Sequence, residues 1–83
     1  MMSSLQELLD EHYVWPATYQ FKFLGPSNKV EEILENLPNG EHQLRPSKNG
    51  TFTSVTLKAR MNSSEEVIKV YNELSEIEGV FGL

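Results

Sequence analysis

The chain has no cysteine among its 83 residues. That excludes a disulfide framework, thiolate metal centres and cysteine nucleophiles, and leaves packing alone to hold the fold. Basic residues are scarce too, seven against twelve acidic ones, for a net charge of −5. Nothing in that total recruits DNA, RNA or an anionic membrane. No apolar run approaches the ~20 residues that span a bilayer. The opening Met1-Met2-Ser3-Ser4-Leu5-Gln6-Glu7 has neither the basic nor the apolar region of a secretory signal. The expected compartment is the cytoplasm.

What is present is a composition of 39% hydrophobic and 23% charged residues, which argues against disorder and for one small globular domain. Residues 1–16 read as an N-terminal arm and residues 17–83 as the domain proper. In the arm, Ser4 and Glu7 have capping-box spacing, and Leu5, Leu8 and Leu9 share one face of a short helix that Pro16 ends. The leucines, Tyr13 and Trp15 are expected to cover an open edge of the core.

Thr18 to Leu24 alternates with period two, Tyr19, Phe21 and Phe23 against Thr18, Gln20 and Lys22, which predicts a half-buried strand. Gly25-Pro26 stops it, and Ser27-Asn28 offers helix N-caps, with Asn28 and Glu31 at the spacing of a second capping box. Val30, Ile33, Leu34 and Leu37 then form one helical stripe. A short strand, His42 to Arg45, carries Pro46 at its end, which places it at a sheet edge. Asn49-Gly50 predicts a tight hairpin with both residues at positive φ. In the strand from Thr51 to Met61, the set Thr53, Val55, Leu57, Ala59 and Met61 opposes Phe52, Ser54, Thr56, Lys58 and Arg60. Ser63 and Glu66 form a third capping box, before a helix whose stripe is Val67, Val70, Tyr71, Leu74 and Ile77. Gly79 caps that helix, and Val80 to Leu83 is the last strand.

The order is βαββαβ. It predicts an α+β, ferredoxin-like two-layer sandwich with a four-stranded antiparallel sheet and two helices on one face. The first and third strands belong at its centre, the second and fourth at its edges.

Arg45-Pro46-Ser47-Lys48-Asn49-Gly50-Thr51-Phe52-Thr53-Ser54-Val55 resembles the hallmark of the YbeD-like family, small bacterial domains of unknown function. Tyr19 to Phe23 is similar to that family's first strand, and Glu73 to Val80 to its closing helix and strand. The resemblance covers roughly residues 17–83. It implies the same fold, related in shape to ACT-type regulatory domains. In such relatives a small metabolite sits near the loop between the first strand and the first helix. The corresponding candidates here are Gly25, whose backbone would admit a ligand, and the amides after Ser27 and Asn28.

Known activities of this fold class make demands the sequence does not meet. Metal capture by paired cysteines is excluded, and His12 and His42 stand far apart without a carboxylate at helical spacing. No arginine precedes Arg45 to cradle a phosphate after the first strand. No Gly-x-Ser-x-Gly elbow occurs. The reading is a non-enzyme without cofactor or metal.

One asymmetry stands out. Between His42 and Ser64 lie Arg45, Lys48, Lys58 and Arg60 and no acidic residue. Lys22, Lys58 and Arg60 should project from the open face of the sheet, with Arg45 beside them on the edge strand. The expected role is a regulatory or adaptor domain that forms a weak homodimer and binds a small metabolite or a protein partner. A nucleic-acid module using the same cations is the alternative, disfavoured because the glycine and aromatic pattern of RNA-recognition strands is missing.

Overall fold

The structure, a computed structural model, describes residues 4–83. The Ser4 side chain and residues 1–3 lie outside the described residues, and with them the expected capping box of Ser4 and Glu7. The elements are α1 (Ser4–His12), β1 (Ala17–Pro26), α2 (Val30–Glu35), β2 (Glu41–Pro46), β3 (Phe52–Met61), α3 (Ser64–Ser75) and β4 (Phe81–Gly82). The strands form one antiparallel sheet in the order β2-β3-β1-β4. This is the ferredoxin-like α+β arrangement, with β1 and β3 central and the proline-bearing strand at an edge.

Period-two patterning decides which face is buried. Along β1, Phe21 and Phe23 are buried and Gln20 and Lys22 exposed; along β3, Thr53, Val55, Leu57, Ala59 and Met61 are buried. The register sets Phe21 against Leu57 and Phe23 against Val55, so the inner faces of the central strands stack apolar on apolar. Ile33 of α2 and Val67 and Leu74 of α3 close over them. Each such side chain contributes roughly 1.5–3 kcal/mol when fully buried.

The short helix expected in the arm is α1, which joins the two helices of the sandwich. It packs against α3, and Leu9 is buried in the core, while Leu8 stays exposed. Tyr13 and Trp15 stack with ring centroids 5.3 Å apart, and Tyr13 continues to Tyr19 at 5.5 Å. The Trp15 indole N–H donates to Asp10 Oδ1 (3.0 Å), tying the arm to itself.

Three local expectations need correction. Asn28 and Ser27 do not cap α2: they form a 3-10 turn, Ser27–Lys29, and the helix starts at Val30 with no side-chain cap. The Ser27 hydroxyl is instead bonded to Thr53 Oγ1 (2.8 Å). In the hairpin only Gly50 has positive φ, +78°. Its N–H donates to the Ser47 carbonyl (2.9 Å), and Asn49 Oδ1 accepts from the Thr51 N–H (3.1 Å), which makes a longer loop around Ser47–Gly50. At α3 the Ser63 hydroxyl accepts from the Glu66 N–H as expected, yet the Glu66 carboxylate reaches back to Asn62, not Ser63.

Tyr71 faces Tyr19 across the α3–β1 seam with the two hydroxyls 3.1 Å apart. Burial, aided by the bond to Tyr19, pushes the Tyr71 phenol well above its ordinary value. A phenol raised in the folded state keeps its proton there, so its stabilisation is complete below the unfolded value of about 10 and is lost as pH rises beyond it. Urea denaturation between about pH 8 and 11 is expected to show falling stability, with a shallower fall in Tyr71→Phe.

Candidate functional site

Helices cover only one face of the sheet. The other is built row by row from the strand register. Gln20, Lys58 and Glu41 share one row, Lys22, Thr56 and Gln43 the next, and Phe81, Leu24, Ser54 and Arg45 a third. Arg60 lies opposite Thr18 at one end, and Phe52 opposite Pro26 at the other. Lys22, Arg45, Lys58 and Arg60 are all exposed. A shallow trough of about 640 Å3 runs over the face between Lys22, Arg45 and Lys58.

The electrostatics of this face are one-sided. Among the described residues the single ion pair joins Lys29 Nζ to Glu32 Oε1 (3.7 Å), away from the sheet. The four face cations therefore have no carboxylate within ion-pair distance. Glu41 is the one acidic residue on the strands; the others lie in the helices or just beyond α3. Positive charge on the sheet and negative charge on the helical layer give the molecule a strong polarity despite its modest net charge.

Apolar groups flank the cations. Phe52 is 44% exposed, Phe81 64% and Leu83 65%. The pairing of Phe81 with Leu24 turns the ring onto the open face. Sequence reasoning found Phe52 but not Phe81, because a strand of two residues has no period from which to read its phase.

The turn proposed for a metabolite is differently occupied. Gly25 is buried, and a β-carbon there would stand 3.0 Å from both Ile33 Cδ1 and Val80 Cγ2. Its lack of a side chain admits the protein's own core. The Ser27 N–H donates to the Thr51 carbonyl (2.9 Å) and its hydroxyl is spent on Thr53. Asn28 is exposed in the 3-10 turn. The structure does not bring these three residues together with the cations of the face. Among the described residues no cluster of three or more His, Asp or Glu is placed to hold a metal ion.

A family model described as a protein of unknown function (DUF493) matches residues 10–82. The chain is 31% identical over 83 residues to the UPF0250 protein of Shewanella piezotolerans, covering 92% of this chain and 94% of that one. It is 28% identical over 85 residues to a UPF0250 protein of Photorhabdus laumondii, covering 94% and 93%. To a UPF0250 protein of Idiomarina loihiensis it is 30% identical over 79 residues, covering 86% and 89%. No solved structure matches the chain.

Proposed function

The chain belongs to the DUF493 or UPF0250 family of small proteins of unknown function, as the YbeD-like pattern at Arg45–Val55 indicates, and from that footing we propose that it is a non-catalytic adaptor or regulatory module. It docks an acidic segment of a protein partner on the open face of its sheet. One observation carries the reading: four exposed cations without carboxylate partners share a bare sheet face with the exposed rings of Phe52 and Phe81. Side chains of this mixture, apolar anchors beside cations, suit a protein interface in which carboxylates meet the cations and aliphatic groups meet the rings.

Single-stranded nucleic acid is the second reading, and the two exposed rings favour it, since bases stack on such platforms. The missing glycine and aromatic pattern of RNA-recognition strands works against it, whereas the net charge of −5 opposes an acidic peptide and a polyphosphate alike. A metabolite at Gly25, Ser27 and Asn28 has less support, with the glycine filled from inside and the serine engaged. Among the described residues no helix is long and apolar enough to cross a membrane, and we place the module in the cytoplasm.

Fluorescence anisotropy tests the choice with two labelled probes, an extended peptide rich in Glu and Leu and an oligouridine. The peptide is expected to bind with an affinity that falls with salt. The triple variant Lys22→Glu/Lys58→Glu/Arg60→Glu is expected to lose that binding, and Lys69→Glu on α3 to keep it. Peptide binding indifferent to the triple reversal would remove the basis of the proposal. Tighter binding of oligouridine, equally sensitive to the reversal, would transfer the face to nucleic acid.

A further inference from the structure

Strand β2 forms a bare edge of the sheet. All six of its residues are exposed, Leu44 to 44% although it lies opposite the buried Val55. The helical layer stops short of it, leaving an open cleft of about 260 Å3 between Leu34 and Leu37 on one side and His42 on the other. A long edge without a cover is a template for another strand.

The backbone of this edge is ready to pair. The Ser47 N–H donates to the Phe52 carbonyl (2.7 Å), and hydrogen-bonded pairs alternate along an antiparallel ladder. Gln43 and Arg45 therefore turn their N–H and C=O groups toward β3, while those of His42 and Leu44 point outward. Pro46 falls in the outward set, where its missing N–H costs β3 nothing.

The side chains select a partner. Glu41, Gln43 and Arg45 alternate on the open face, so the strand reads as an acid, an amide and a base spaced evenly about Gln43. We infer that β2 pairs with β2 of a second copy, antiparallel and on a two-fold axis through Gln43. In that register Glu41 of each copy stands opposite Arg45 of the other, and Gln43 opposite Gln43. His42 and Leu44 exchange N–H and C=O across the seam, and the two Leu44 side chains become diagonal neighbours on the helical side. A two-fold interface requires this kind of self-complementarity. Centring on Leu44 would set Glu41 against Ser47 and His42 against the donorless Pro46. Centring on Arg45 would oppose like charges. Only the Gln43 axis joins acid to base and leaves Pro46 outside the His42–Leu44 exchange.

The consequence is one continuous sheet through both copies, with the two cationic faces side by side. The inference goes beyond the adaptor reading and does not depend on it, since the seam needs only β2.

Sedimentation velocity from micromolar to millimolar protein tests it. The wild type is expected to shift reversibly from monomer to dimer. Glu41→Arg and Arg45→Glu are each expected to weaken the dimer about tenfold, because the axis repeats every altered contact. The double variant Glu41→Arg/Arg45→Glu restores the wild-type constant, and an equimolar mixture of the two single variants forms a heterodimer. These positions are exposed, so the variants fold. A wild type that stays monomeric throughout overturns the inference, and so does a dimer unmoved by either single reversal.

Discussion

Val55→Asp is expected to abolish folding, while Thr56→Asp, the next residue on the same strand, is expected to keep a cooperative thermal transition. Val55 is fully buried at the centre of β3, between Phe23 of β1 and Leu44 of β2. Aspartate there forfeits the apolar burial and brings a carboxylate into a site without donors, a combined loss of at least about 4 kcal/mol. For a domain of this length the whole stability is roughly 4–12 kcal/mol. Thr56 points to the other face, between Lys22 and Gln43. A carboxylate facing the Lys22 ammonium recovers up to ~1 kcal/mol, against a similar loss of β propensity of about 1 kcal/mol. Circular dichroism melts of the two variants decide the matter. The opposite ranking would mean that the buried and open faces are exchanged, since a slip of one residue reverses every side chain.

How much of this was legible in the sequence depended on whether a pattern had room to repeat. The ten-residue strands β1 and β3 carry several periods each, and their alternation gave both the core and the open face. Pro46 alone sufficed to put β2 at an edge, because a residue without an N–H cannot sit in a central ladder. The misreadings share a cause: a side chain with two local options. Ser27 was free to cap α2 or to bond across to Thr53, and it does the latter. Asn49 was free to take positive φ or to fold its side chain back on Thr51, and it does the latter. Spacing along the chain does not rank two such options, and for Ser27 the competitor lies 26 residues away.

The candidate site divides the same way. Strand phase assigns Lys22, Lys58 and Arg60 to the open face, and the register places them there. The ring of Phe81 was invisible because β4 is too short to show a phase. Gly25 illustrates the opposite difficulty. A glycine after a strand reads equally well as room for a ligand or as room for the protein itself, and only the positions of Ile33 and Val80 separate the two. The balanced spacing of Glu41, Gln43 and Arg45 could be seen at once, but its meaning required knowing that β2 lies uncovered at the edge.

Gly40→Ala is the second substitution with a large expected effect, and its cause is not the one that glycines in turns usually have. Pro38-Asn39-Gly40 reads as punctuation between α2 and β2, yet Gly40 has no positive φ. What it needs is proximity. A β-carbon at this position would collide with the Lys58 carbonyl oxygen and stand 3.1 Å from both Ala59 Cβ and Leu57 Cδ1. The obstacle is the backbone of a central strand, which cannot give way, so the start of β2 must peel outward. Overpacking of this kind costs about 1–3 kcal/mol. Gly50→Ala is the control: Gly50 has φ +78° and open space around it, so the cost there is only the left-handed conformation, about 1 kcal/mol. Urea midpoints are expected to rank Gly40→Ala as the less stable of the two, with faster amide exchange at Gln43 and Arg45, whose N–H groups face β3. Equal midpoints would mean that β2 begins with slack against β3. Because the same strand forms the inferred seam, displacing its start also separates Glu41 from Arg45 of the second copy. Gly40→Ala is therefore expected to lower dimerisation even under conditions in which the domain remains folded, whereas Gly50→Ala leaves it unchanged.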